Sequence, residues 1–204
     1  MQILRMAMPK HKQMSGHNII VVGASAGGVE ALIQLVQGLP KELPAAILVV
    51  IHFPAHGKSI LPYILTRSGP LQAVHATDGE AIQPGRIYLA VPDKHLGVKL
   101  GYIRLDGGSK ENSARPAINV LFRTAAQVYG SRVIGVVLSG TLSDGTAGLS
   151  AIKRHGGVAI VQNPDEALFS EMPRSAIKHV DVDHILPVSE IASVLASTAR
   201  IPAP

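Results

Sequence analysis

The apolar positions of this chain fall into short dense runs separated by segments of helical spacing. Residues 19–22 are β-branched and predict a buried strand that runs into a turn of small residues. Val29, Leu32, Ile33, Leu35 and Val36 then recur at helical spacing. Prolines and leucines at 39–44 break that pattern, and residues 45–51 predict a second strand ending in His52-Phe53-Pro54 and a loop through Gly57. Residues 59–67 read as a short helix with Ser59 as its cap, and residues 71–76 as a third strand.

The middle of the chain changes character. Residues 86–91, 95–100 and 103–106 predict short strands and a hairpin around Gly101, placed as an antiparallel insertion in an otherwise parallel sheet. Alternation then resumes: a helix over 116–129, a strong strand over 132–138, a turn over 139–145 and a helix over 146–155. A strand at 158–162, a helix near 173–179, a short strand at 184–186 and a helix at 189–198 complete the pattern. Strands alternating with helices at this spacing predict an α/β fold, a doubly wound, mostly parallel sheet flanked by helices, with right-handed crossovers. Residues 1–16 read as a flexible basic tail and 17–200 as one domain.

Composition narrows this picture only a little. The 204 residues suffice for one domain with a substantial core, and 47% hydrophobic with 3% aromatic content suits an interior of Val, Ile, Leu and Ala. Cysteine is absent, which excludes disulfides and thiolate chemistry and is compatible with a cytoplasmic setting. No run is long enough to span a membrane, and the first sixteen residues lack the apolar core of a signal peptide. The net charge of +5 suits an acidic partner, but without a basic cluster interleaved with aromatics no nucleic acid is expected.

Candidate chemistry begins in the turn Gly23-Ala-Ser25-Ala26-Gly27-Gly28. A strand-to-helix turn of this kind exposes backbone N–H groups, which suits an anion or a serine nucleophile with an oxyanion site. The turn has neither the dinucleotide fingerprint nor a P-loop, nor the G-x-S-x-G spacing. In a doubly wound sheet the site lies beyond the C-terminal strand ends. Three strands lead there to Ser25, His52 and Asp144: a nucleophile, a general base and an orienting carboxylate. Each has an ordinary alternative, since serine and aspartate cap helices and a histidine at a strand end is often a surface residue. Their shared sheet edge is what joins them. His52 and His56 have i,i+4 spacing, but Pro54 and Gly57 oppose a shared helical face, and no metal site is expected. Asp78, Asp93 and Asp106 are alternative carboxylates that lie in or beside the β-insertion.

With those residues in place, residues 18–196 resemble the catalytic domain of the chemotaxis protein-glutamate methylesterases, the CheB family. The matching motifs are Gly-Ala-Ser25-Ala-Gly-Gly, Ile-His52-Phe-Pro, Asp78-Gly-Glu, and Gly85-Arg-Ile-Tyr-Leu-Ala-Val-Pro-Asp93-Lys-His95. Further along are Arg115-Pro-Ala-Ile-Asn-Val-Leu-Phe122, Leu138-Ser-Gly-Thr-Leu-Ser-Asp144-Gly-Thr-Ala-Gly148 and Met172-Pro-Arg-Ser-Ala-Ile177. The resemblance implies Ser25 as nucleophile, His52 as base and Asp144 as its orienting partner. It implies that Ala26, Gly27, Thr141, Leu142 and Arg115 serve the oxyanion and the substrate. The implied reaction is hydrolysis of glutamate γ-methyl esters on the cytoplasmic helices of chemoreceptors, with deamidation of receptor glutamine in some members. No cofactor is implied, and a monomer is expected because no coiled-coil heptads or dimer seam are visible.

The chain also departs from the family pattern. Ser25-Ala26-Gly-Gly stands where Ser-Thr-Gly-Gly is common, and Gly140-Thr-Leu-Ser-Asp144 stands where the loop commonly reads Gly-Met-Gly-x-Asp. The receiver domain that normally precedes the catalytic domain is not in this sequence, so regulation by phosphorylation is not carried over. An esterase for another ester, and a non-catalytic signalling or binding module on the same fold, are the competing readings.

Overall fold

The computed structural model describes residues 18–52 and 59–203; the N-terminal tail and the loop containing His56 lie outside them. The chain runs β1 (Ile19–Ala24), α1 (Gly28–Gln37), β2 (Ala46–Ile51), α2 (Leu61–Ser68), β3 (Gln72–His75) and β4 (Arg86–Leu89). It continues through β5 (His95–Lys99), β6 (Tyr102–Asp106), α3 (Ile118–Tyr129), β7 (Val133–Val137) and α4 (Thr146–Arg154). β8 (Val158–Gln162), α5 (Glu171–His179), β9 (His184–Leu186) and α6 (Val188–Thr198) close it.

Seven strands pair in the order β3-β4-β2-β1-β7-β8-β9, all parallel, and β5 and β6 form a separate antiparallel pair. The expected α/β architecture is therefore present. Helices cover both faces of the sheet, which is why its central strands read as unbroken apolar runs rather than as alternation. On one face Ile20, Val22, Ile47 and Val49 pack with α1, α2 and α6; on the other, Val21, Leu48 and Val50 pack with Leu121, Phe122, Leu149 and Ile152 of α3 and α4.

One strand is placed differently from the sequence expectation. β4 does not belong to the antiparallel insertion but lies between β2 and β3 in the parallel sheet. Its Ile87 and Leu89 enter one core layer and Tyr88 the other. The crossover that returns the chain from β3 to β4 contains no helix. Residues 76–85 run through turns at 78–79 and 84–85 and pair with the hairpin between them, where Ile82 N–H donates to Gly101 O and Ile103 N–H to Glu80 O. Helical spacing is the usual sign of a crossover, and this segment does not have it. The hairpin packs instead on α3, with Leu96, Val98 and Ile103 buried in the same layer as Leu121 and Phe122. Ser59 acts just outside α2: Ile60 holds the cap position while Ser59 Oγ accepts the Leu61 N–H at 3.3 Å.

β1 is the pivot of the sheet. β2 lies on one side of it and β7 on the other, and the helices that follow β1 and β7 cover opposite faces. Their C-terminal ends therefore flank a topological switch point, the crevice where open α/β sheets place ligands.

Candidate active site at the switch point

Ser25, His52 and the 139–144 loop leave three adjacent strands at this edge, and their backbones are joined there. Ser25 N–H donates to Ser139 O at 2.9 Å, and His52 N–H donates to Ala24 O at 3.2 Å. The Ser25 hydroxyl is not used as a helix cap: α1 is entered at Gly27, which has φ +68° and supplies no side chain. That left-handed conformation is open to glycine, and a Cβ at Gly27 would sit 2.8 Å from both Ser139 Oγ and Leu168 Cβ. Ser139 is almost fully buried, donates from Oγ to Ala26 O at 2.8 Å and accepts the Phe169 N–H at 3.0 Å. Its own N–H goes to the buried Gln162 Oε1 at the end of β8.

Asp144 and His52 meet directly: His52 Nε2 lies 2.9 Å from Asp144 Oδ2, with the histidine side chain 24% exposed and the aspartate 4%. Asp144 does not hold the cap position of the helix after it, which belongs to Gly145, a residue with no side chain to cap with. Its carboxylate instead caps α3. Oδ2 accepts the Ile118 N–H at 2.7 Å, and Oδ1 accepts from Asn119 N, Gly145 N and Asn112 Nδ2 at 3.0–3.2 Å. α3 returns the arrangement, since buried Asn119 Oδ1 accepts the Gly145 and Gly148 N–H groups at 3.1 and 2.7 Å and so caps α4. N–H groups at two helix N-termini thus converge on the carboxylate. Burial pushes the Asp144 carboxyl up, but His52 and the Ile118 and Asn119 N–H groups outweigh it and hold the group below the usual carboxylate range.

An ionised Asp144 draws the proton of a neutral His52 to Nε2, which leaves the lone pair on Nδ1. The pair lines an open cleft of about 590 Å³ whose walls are Lys110, residues 112–116, residues 141–144 and Asp93. Arg115 lies in that wall as a fastener: it binds Asp93 Oδ1 from Nε and Nη2 at 2.9 and 2.6 Å and donates to the Gly107 and Gly108 carbonyls. Glu111, paired with Arg123 at 2.8–2.9 Å, ties the same segment to α3, and that guanidinium holds its carboxyl below the ordinary value. Thr141 and Leu142 line the cleft, but the Leu142 N–H is taken by Glu171 Oε2 at 2.7 Å. Among the alternative carboxylates, Asp78 accepts the Leu105 N–H and Asp106 the Gly108 N–H. No group of three or more His, Asp or Glu side chains is gathered for a metal among the described residues.

Asn112, Asn119, Ser139, Gln162 and Glu171 are the site-building residues that sequence reasoning did not assign. A polar residue on an apolar face was the only sign for Asn119. The other four are polar residues in loops or at an element's end, with nothing local to mark them.

The comparisons with known proteins agree with this architecture. The family model described as CheB methylesterase matches residues 20–195. A protein of Thermotoga maritima named protein-glutamate methylesterase/protein-glutamine glutaminase is 36% identical over 181 residues, covering 87% of this chain and 53% of its own. A Leptospira interrogans protein, provisionally given the same name, is 38% identical over 179 residues, covering 87% of this chain and 93% of its own. The crystal structure of the Thermotoga maritima CheB methylesterase catalytic domain superposes with a TM-score of 0.85 at 36% identity, covering 90% of this chain and 98% of that one. No helix among the described residues is long and apolar enough to cross a membrane. A match over almost the whole domain, and a solved relative with the same fold, establish that this chain belongs to the CheB methylesterase family.

Proposed function

We propose that this chain is a serine hydrolase that cleaves glutamate γ-methyl esters on the cytoplasmic helices of chemoreceptors, releasing methanol. It acts in the cytoplasm as a monomer, with Ser25 as nucleophile, His52 as base and Asp144 as the group that orients the base. The observation that carries this reading is the buried Asp144 carboxylate bonded to His52 Nε2 beside a strand-end serine that caps no helix.

In this mechanism Ser25 Oγ attacks the ester carbonyl as its proton passes to His52 Nδ1. The oxyanion is held by N–H groups of the Ala26–Gly27 turn and of Thr141; losing one such donor lowers the rate about 10²–10³-fold. Asp144 stabilises the imidazolium through Nε2–H. Collapse of the tetrahedral intermediate expels the methoxy group, which takes the proton from His52 and leaves as methanol. A water molecule then gives its proton to His52 and attacks the acyl-enzyme, and Ser25 recovers that proton as the glutamate is released. On a glutamine γ-amide the same steps release ammonia, matching the glutaminase half of the relatives' name. The steps draw on no cofactor.

The test is methanol release from methylated chemoreceptor membranes by wild type and Ser25→Ala. Release by wild type that the variant abolishes supports the assignment. Equal background release from both defeats it.

A further inference from the structure

Four non-glycine residues among those described have positive φ: Asp93 (60°), Asn112 (50°), Ser113 (63°) and Leu142 (63°). All four line the cleft beside His52 and Asp144. Backbone of this kind is disfavoured for L-residues, and it gathers where a surrounding structure holds it for a purpose. Asp and Asn tolerate it through their short polar side chains, and here Asp93 is held by Arg115 while Asn112 donates to Asp144. Leu142 has no such compensation. Its side chain is hydrocarbon and 72% exposed, so it adds little to the protein's own core. Its N–H is drawn onto Glu171, which keeps the loop in this conformation. Glycine suits the backbone better, and Leu142 stands at the second glycine of the Gly-Met-Gly-x-Asp pattern common in the family.

A leucine that strains its backbone and contributes little to its own fold gains its value from a contact outside the chain. Its neighbours point the same way. Gly140 N–H donates to Phe169 O and Met172 N–H to Gly140 O, so the 140–142 and 169–172 segments run together. Leu168 (71% exposed) and Phe169 (41%) belong to the second segment, and Leu168 closes over Gly27, two residues beyond Ser25. Three of the exposed large apolar side chains therefore lie on the segments bordering the nucleophile turn and the cleft.

We propose that Leu142 is a specificity residue which, with Leu168 and Phe169, contacts an apolar side chain of the substrate helix beside the esterified glutamate. This rests on the hydrolase reading above and deepens it. A helix presenting a glutamate ester to Ser25 lays its adjacent side chains on these segments, whereas a small ester is too short to reach them.

The test compares kcat/KM on methylated receptor membranes with kcat/KM on a soluble N-acetylated glutamate γ-methyl ester, for wild type, Leu142→Gly and Leu142→Met. The ratio of the two cancels any general effect of the substitution on the catalytic groups. For Leu142→Gly the ratio falls about tenfold, the low end of what loss of one buried leucine contact costs. The fall comes mainly through the receptor KM, and Leu142→Met restores the ratio to within about twofold. A thermal midpoint for Leu142→Gly at or above that of wild type shows that the strain belonged to the leucine. An unchanged ratio, with wild type active on both substrates, overturns the role of Leu142 and leaves the hydrolase reading standing. Wild type no more active than Ser25→Ala on either substrate overturns both.

Discussion

Exchanging Asp144 for asparagine removes one charge and one acceptor from a place where every neighbour is a donor. Oδ2 faces His52 Nε2 and the Ile118 N–H; Oδ1 faces the Asn119 and Gly145 N–H groups and Asn112 Nδ2. The new NH₂ must point one way or the other. Toward Oδ1 it confronts the Asn119 N–H, Asn112 Nδ2 and the Gly145 N–H, of which the last keeps Asn119 Oδ1 as an acceptor, at about 1–3 kcal/mol for each group left without one. Toward Oδ2 it confronts one backbone donor, because His52 can change tautomer and accept through Nε2. The second arrangement is cheaper, at about 1–3 kcal/mol, but it leaves the proton on Nδ1, where the base is needed. Asp144→Asn is therefore expected to fold with a thermal midpoint lowered by about 2–10 °C and to lose about 10⁴ in kcat. Methanol release and a melting curve read both. A folded variant with kcat within tenfold of wild type would refute the tautomer argument.

The same substitution has a pH signature. Asp144 titrates lower in the folded protein than in the unfolded chain, where an aspartate has a pKa of about 3.9. Its stabilising contribution is thus complete above about pH 4 and lost as pH falls through the folded-state value. Asparagine has no such ionisation, so the stability gap between wild type and variant narrows as the pH is taken below about 4. A gap that stays constant across that window counts against the depressed carboxyl.

Two further substitutions test the frame around the site. Asn119→Ala leaves the buried Gly148 N–H without its acceptor, while the Gly145 N–H keeps Asp144 Oδ1, and is expected to cost about 1–3 kcal/mol, measured by denaturant unfolding; a loss under about 0.5 kcal/mol would show that α4 does not depend on this cap. Gly140→Ala places a Cβ against Met172 Sδ and 2.9 Å from the Ser25 Cβ, so methanol release is expected to fall more than tenfold, and full activity would mean that the nucleophile turn is not held from this side.

Much of the fold was legible because its strands and helices carry strong local signals. Residues 19–24, 46–51 and 133–137 are apolar throughout, since each is covered on both faces, and short length with β-branching marks them as strands. β4 was misplaced for a related reason. Its crossover is a helix-free segment that pairs with the hairpin, and a pairing partner well beyond the next element leaves no trace in local periodicity.

That Ser25, His52 and Asp144 lie at one edge of the sheet was legible too, because sheet topology gathers the loops after parallel strands there and because each residue follows a run that announces itself. The chain could not reveal locally that Asp144 caps α3 while Asn119 caps α4, or that Arg115 spends its donors on Asp93 and two carbonyls. Nor could it reveal that Leu142 stands at positive φ with its N–H on Glu171. Apolar periodicity is written into neighbouring residues, so the amino-acid order by itself determined the elements and the sheet edge that carries the chemistry. Hydrogen bonds join groups far apart in the chain and depend on direction and on small differences in distance. Only the tertiary structure could decide which polar groups hold Asp144 against His52 and which apolar side chain is left exposed at the cleft.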